Sequence, residues 1–115
     1  MKKRSKTLDE MTKEVKETFN AYVAQGTKRW NWQSAAKDLP YQVGSITKIM
    51  LQLTNERWPE GKTKKQLKAE LGDELADVMA EVLFMAAQLD INLEEAWQNM
   101  LKSDKRKVND RVKSR

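Results

Sequence analysis

Apolar residues recur along the chain at the three- and four-residue spacing of helices, and short polar motifs mark where those helices begin. Residues 7–10, 63–66 and 92–95 each place a capping side chain three residues ahead of an acid or an amide. Such a pair can satisfy the backbone N–H groups that the first turn of a helix leaves unpaired. The pattern therefore predicts that a helix follows each motif.

The longest predicted helix spans about residues 64–89, and its main apolar stripe is Leu67, Leu71, Leu75, Val78, Val82 and Met85. The first helix carries its own stripe, Leu8, Met11, Val15, Phe19 and Val23, and is expected to stop at Gly26. We expect another helix to begin at Ser34 or Asp38, with Pro40 in its first turn, and to end before residues 55–61. The fold class predicted is an all-α bundle of four main helices.

The chain divides by charge into a body and two basic ends. Residues 1–6 carry four basic side chains, and residues 102–115 carry seven basic and two acidic ones. We assign residues 1–6 and 104–115 as basic tails around a helical domain at residues 7–103, although beyond Ser103 the pattern does not separate helix from tail. No aromatic residue lies in either basic end, so nucleic acid is not expected as a partner.

Composition restricts the chemistry that is open to this chain. Its 115 residues include no cysteine and no histidine, which excludes disulfides, thiolate ligands, a cysteine nucleophile and a histidine base. The groups that remain available for catalysis or binding are carboxylates, hydroxyls, amides and the side chains of Lys and Arg. No apolar run is long enough to span a membrane, and we expect a cytoplasmic protein that does not associate with one.

Four acidic side chains share one face of the long predicted helix: Glu70, Glu74, Asp77 and Glu81. Between Leu71 and Gln88 no basic residue interrupts them, so like charges repel along this face. Hard oxygen ligands at this spacing suit Mg²⁺ or Mn²⁺. The alternatives are a solvated acidic face and ion pairs with a neighbouring helix, with Lys48 as the first candidate cation.

Tryptophans offer a second kind of candidate, because an indole can stack on a nucleobase. The four are Trp30, Trp32, Trp58 and Trp97. Packing in the core or at an interface is the more ordinary use of such large apolar side chains, and it is the role that we expect for them.

Two segments of the second half resemble a known family. Residues 72–78, Gly-Asp-Glu-Leu-Ala-Asp-Val, and residues 89–97, Leu-Asp-Ile-Asn-Leu-Glu-Glu-Ala-Trp, resemble MazG-like domains, which are all-α nucleoside triphosphate pyrophosphohydrolases. Glu74 and Asp77 match the E-x-x-D pair of that family. The resemblance extends over roughly residues 8–106 and implies a MazG-like bundle, a dimer or tetramer, and catalytic roles for Glu74 and Asp77.

The second helix departs from the family pattern. Where MazG-like proteins carry E-E-x-x-E, this chain has Tyr41, Gln42 and Ser45 around a retained Val-Gly pair. The resemblance implies that these acids and the E-x-x-D pair hold Mg²⁺ while water attacks the triphosphate. In the last helix, Arg106 is the residue kept from the family's phosphate-contacting pattern.

These observations lead to one functional expectation with one alternative. The expectation is a divergent MazG-like nucleotide pyrophosphohydrolase that depends on Mg²⁺ or Mn²⁺, with the four-acid row as its metal ligands. Its substrate-binding residues would be Gln42, Ser45, Lys48 and Arg106. The alternative is a catalytically inactive nucleotide-binding or structural protein of the same fold. Because neutral side chains replace the second-helix acids, the sequence predicts weak or absent hydrolysis of common nucleoside triphosphates.

Overall fold

The computed structural model describes residues 5–26 and 31–113 as an all-helical chain. Its helices are α1 (Leu8–Ala24), α2 (Trp32–Leu53), α3 (Lys64–Gln88) and α4 (Leu93–Lys113). No strand occurs among these described residues. The predicted all-α fold class with four helices is confirmed.

Side-chain caps start three of the helices where the sequence motifs predicted them. At α3 the two residues of the capping motif bond to each other's backbone. Thr63 Oγ1 accepts from the Gln66 N–H at 3.1 Å, and Gln66 Oε1 accepts from the Thr63 N–H at 2.9 Å. Thr7 and Asn92 each accept from the N–H three residues on, at 3.2 and 3.1 Å. Gly26 follows α1 with a φ of +89°, a left-handed conformation that glycine adopts without strain and that ends the helix as predicted.

The predicted start of α2 is wrong. The helix begins at Trp32, before both Ser34 and Asp38, because Asn31 Oδ1 accepts from the Ser34 N–H at 2.8 Å and caps it there. Pro40 consequently lies inside the helix rather than in its first turn. Because α2 begins earlier than predicted, Asp38 lies within a regular helix instead of at its frayed end.

The central helix is α3, which packs against α2 and α1. The buried apolar core is contributed by α2 and α3: Ala35, Ile49, Leu67, Leu83, Phe84 and Ala86. From α1, Phe19 meets Phe84 edge to face, with ring centroids 4.6 Å apart, a favoured aromatic geometry. At the end of α3, Gln88 Oε1 accepts from the Trp32 N–H at 2.6 Å and links the beginning of α2 to the end of α3.

The last helix stands apart from this core. α4 packs mainly on α1, and near its start Glu94 Oε1 accepts from the Asp9 N–H at 3.2 Å. Every residue from Glu95 to Lys113 is exposed. The helix continues through the basic segment as far as Lys113, so residues 104–113, which the sequence assigned to a tail, are helical.

The tryptophans that the structure describes lie outside the buried core. Trp32, Trp58 and Trp97 are all exposed, and Trp30 lies outside the described residues. Of the two roles expected for the tryptophans, core packing is excluded for these three, and packing at an interface stays a prediction. None of the described helices is long and apolar enough to cross a membrane.

Candidate functional site

The acidic row of α3 divides between two neighbouring grooves. Glu70 and Glu74 line one groove, named here the lysine groove, together with Ser45, Lys48, Ile49, Gln52 and Lys62. Asp77 and Glu81 line the other, named here the carboxyl groove, together with Phe19, Tyr22, Gln42 and Ala80. The four acids thus share a helix, as predicted, but face two different environments.

Ion pairs dominate the lysine groove. Lys62 Nζ lies 2.9 Å from Glu70 Oε1 and 3.1 Å from Glu70 Oε2. This hydrogen bond raises the pKa of Lys62. Lys48, the cation proposed from the sequence, lines the same groove as Glu74 but has its ion pair with Glu60 at 3.7 Å. Among the residues that the structure describes, the cation paired with the acidic row is therefore Lys62.

One acid lining the carboxyl groove, Glu81, is paired with a carboxyl group from a second helix. Glu81 of α3 is only 5% exposed, and Asp38 of α2 is its hydrogen-bond partner. Asp38 is held in turn by Gln42, whose Nε2 donates to Asp38 Oδ2 at 3.2 Å. The second carboxyl oxygen of Glu81, Oε2, is buried and has no hydrogen-bond partner within the described parts of the chain.

The surroundings of Glu81 favour its protonated form. Burial, then the hydrogen bond and charge of Asp38, and finally the charge of Asp77 raise the pKa of Glu81 to about 8. A buried carboxylate without a counter-charge is more costly than a buried neutral acid. With a pKa of about 8, Glu81 holds its proton at neutral pH, and its neutral carboxyl group can donate a hydrogen bond to Asp38.

The donor chemistry of the carboxyl groove fits a small divalent cation. Carboxylates and an amide oxygen are the hard ligands that Mg²⁺ and Mn²⁺ prefer, and the orphaned Oε2 of Glu81 is a ligand atom without a partner. Within residues 5–26 and 31–113, no three acidic side chains gather closely enough to surround one ion. Mg²⁺ commonly takes one or two protein carboxylates and completes its shell with water and phosphate oxygens.

The size of the carboxyl groove limits what it can hold. Its volume of about 240 Å³ is below the roughly 300–1,000 Å³ that is typical of small-molecule sites. A hydrated cation with a phosphate group fits this space better than a complete nucleotide. The lysine groove, one to two turns away along α3, would have to accept other parts of such a ligand.

The structure brings most of the sequence-predicted residues to these grooves, with one exception. Gln42 lies in the carboxyl groove, and Ser45 and Lys48 lie in the lysine groove. Arg106 is exposed on α4 and lines neither groove.

Two functional candidates were missed by sequence reasoning. Asp38 was assigned only a capping role, because α2 was predicted to begin near it. Its position one turn before Gln42 on the same helix was the available signal. Lys62 lies in the loop before α3 and has no spacing relationship that would have connected it to Glu70.

Comparison of the chain with protein-family models, with curated proteins and with solved structures finds no match. A functional assignment consequently depends on the residues and geometry of the two grooves.

Proposed function

We propose that this protein is a MazG-like nucleotide pyrophosphohydrolase that uses Mg²⁺ or Mn²⁺ to convert a nucleoside triphosphate to its monophosphate and pyrophosphate. The observation that carries the proposal is the carboxyl pair of Asp38 and Glu81, with Asp77 in the same groove. Metal-assisted phosphate chemistry places cations between protein acids and phosphate oxygens. Asp38 supports the proposal because it supplies an acid from α2. This is the helix on which neutral residues replace the acids of the family pattern.

The proposed cation ligands come from two helices: Glu81 lines the carboxyl groove, and Asp38 is its hydrogen-bond partner. Asp38 and Glu81 would supply carboxylates from α2 and α3, and Glu81 would release its proton to solvent on binding a cation. A bound cation would neutralise phosphate charge and lower the pKa of an attacking water. Asp77 adds a third negative charge beside Glu81, and it is one of the two acids to which the resemblance assigns catalysis.

Residues of the lysine groove are assigned to the substrate. The ammonium of Lys48 and the hydroxyl of Ser45 suit phosphate oxygens, and Glu74, the other acid of the E-x-x-D pair, lies beside them. In the reaction, water oxygen bonds to the α-phosphorus, the bond to the bridging oxygen of pyrophosphate breaks, and a proton passes to solvent. The triphosphate would lie along α3 across both grooves.

The experiment is a pyrophosphate-release assay on the common ribo- and deoxyribonucleoside triphosphates with Mg²⁺ or Mn²⁺, with identification of both products. Because Asp38 supplies an acid from α2, we expect cation-dependent formation of monophosphate and pyrophosphate, in place of the weak or absent hydrolysis predicted from the neutral residues Gln42 and Ser45. Asp77→Asn and Glu81→Gln should each lower turnover about 100-fold or more, in the range seen when an electrostatic catalytic group is removed. Asp73→Asn is the matched control, since Asp73 is an exposed acid on α3 that lines neither groove, and its turnover should equal that of the native chain.

A catalytically inactive nucleotide-binding protein is the second candidate, and two observations favour it. Gln42 and Ser45 are neutral where the family carries acids, and the Lys62–Glu70 ion pair uses one acid of the row for structure. Under this candidate, nucleotide binds to the folded native chain and no pyrophosphate is released. That result, or full turnover by the Asp77→Asn variant, would overturn the proposed hydrolase.

A further inference from the structure

One side of α4 carries a row of basic side chains. Every residue from Glu95 to Lys113 is exposed, and this part of the helix forms a rod about 28 Å long. Residues separated by three, one, three and four positions fall on one face of a helix. On α4 this spacing defines a surface named here the basic face: Lys102, Lys105, Arg106, Asn109 and Lys113.

The positive charge of the basic face is not neutralised within the chain. Among the residues that the structure describes, Lys102, Lys105 and Lys113 form no ion pair with an acid. Lys102 lies three and four residues before Lys105 and Arg106, so like charges repel along this face. Residues 7–101 carry a net charge of −4, although the whole chain is at +5. The basic face therefore attracts a polyanion that the body of the chain repels.

The dimensions and chemistry of α4 suit a DNA duplex. An α-helix with its side chains is about 10–12 Å across, and the major groove of B-form DNA is about 12 Å wide. Lys and Arg bind phosphates, and the amide of Asn109 suits a phosphate or a base edge. The major groove of duplex RNA is too narrow for such a helix. The expectation from the sequence that nucleic acid is not a partner depended on base stacking, which a duplex contact does not require.

The apolar side of α4 argues against a lipid surface as the partner. The exposed residues Trp97, Leu101 and Val108 lie about a third of a turn around the helix from the basic face. Asp104 lies between Leu101 and Val108 in the same shallow surface groove. A helix that binds an anionic membrane buries a continuous apolar side, and the carboxylate of Asp104 interrupts this one.

We propose that the basic face of α4 binds duplex DNA, with the helix along the major groove and its Lys and Arg side chains against backbone phosphates. Such contacts do not depend on base sequence, and they weaken steeply with salt because they release counterions from the DNA. Arg106, which lines neither groove of the candidate site, has its role here. The proposal does not depend on the proposed catalysis.

The experiment measures the fluorescence anisotropy of a labelled DNA duplex of two turns, about 20 base pairs, at a series of salt concentrations. The test variant combines Lys102→Gln, Lys105→Gln and Lys113→Gln. Glutamine keeps the helix propensity of lysine, and circular dichroism checks folding. We expect the native chain to bind with a Kd of about 10⁻⁴–10⁻⁶ M at physiological salt. The test variant should bind about tenfold or more weakly, and its slope of log affinity against log salt should be smaller by about 2–3.

A matched control separates the basic face from the net charge of the protein. The control variant combines Lys64→Gln, Lys65→Gln and Lys68→Gln, which remove the same charge from exposed positions of α3. Its affinity and its salt slope should stay close to those of the native chain. Equal losses in the test and control variants would overturn the proposal, as would a native chain that does not bind the duplex.

Two further ligands test the choice of partner. A single strand or a duplex RNA of the same length should bind more weakly than the DNA duplex, and tighter binding of either would overturn the proposal. Val108→Gln changes the apolar side of α4 and should leave DNA binding intact. Binding to vesicles of phosphatidylcholine and phosphatidylserine that Val108→Gln abolishes, without binding to DNA, would identify a lipid surface as the partner instead.

Discussion

The side chains of Asp38 and Glu81 meet across the interface between α2 and α3 and share a hydrogen bond. Two acids can be neighbours in a largely buried position only if one of them stays protonated or a cation lies between them. Burial selects Glu81 as the protonated partner and raises its pKa to about 8. Removing the proton from this pair therefore destabilises the folded protein. A cation bound between the two carboxylates would offset that destabilisation.

Stability should depend on pH through Glu81. The folded protein holds this proton up to about pH 8, whereas an unfolded chain releases it near the usual value of 4.5. Between these two values the folded state binds more protons, so the free energy of unfolding falls as pH rises, by up to about 1.4 kcal/mol per pH unit for one group. This contribution is complete below about pH 4.5 and is lost as pH rises through about 8.

The variant Glu81→Gln should abolish that pH dependence, because an amide donates a hydrogen bond to Asp38 without titrating. Urea unfolding in the presence of a chelator should show it to be more stable than the native chain by about 1–3 kcal/mol at pH 8.5. Glu95→Gln changes an exposed acid of α4 and should leave the native pH slope unchanged. Equal slopes for native chain and Glu81→Gln would show that Glu81 does not hold the proton.

Cation binding should release a proton. At pH 7 Glu81 is protonated, since its pKa is about 8, and a Mg²⁺ or Mn²⁺ ion that takes its carboxylate must displace that proton. Calorimetric titration in two buffers with different ionisation enthalpies measures the number released, which we expect to approach one per ion. Binding with no buffer dependence would place the cation away from Glu81.

The starts of three helices and the positions of the α3 acids could be predicted from the sequence, because local capping and helical spacing determine them. Thr63 and Asn92 act within one turn of chain, and no tertiary contact was needed to interpret them. Asp38 was not predictable in the same way. Its role depends on where α2 begins, which Asn31 decides, and on the packing of α2 against α3. Lys62 reaches Glu70 from a loop, which spacing along a helix does not describe.

Pro40 provides a test of the corrected start of α2. Inside a helix, proline lacks the N–H that would bond to the carbonyl of residue 36. Pro40→Ala should restore that bond and stabilise the protein by about 1–2 kcal/mol, after allowance for the more flexible unfolded chain. Thermal or urea unfolding measures the change. If α2 began near residue 38, Pro40 would lie in the first turn and its replacement would bring no such gain.

The proposed cation site spans two helices through Asp38 instead of running along α3 through Glu70. Titration with Mn²⁺, followed by the electron paramagnetic resonance signal of the free ion, measures affinity directly for the native chain, Asp38→Asn and Glu70→Gln. We expect binding by the native chain, affinity lowered by about tenfold or more in Asp38→Asn, and no significant change in Glu70→Gln, whose partner in this structure is Lys62. Loss of affinity in Glu70→Gln with none in Asp38→Asn would exclude a cation site at Asp38 and would assign the metal ligands to the four-acid row of α3.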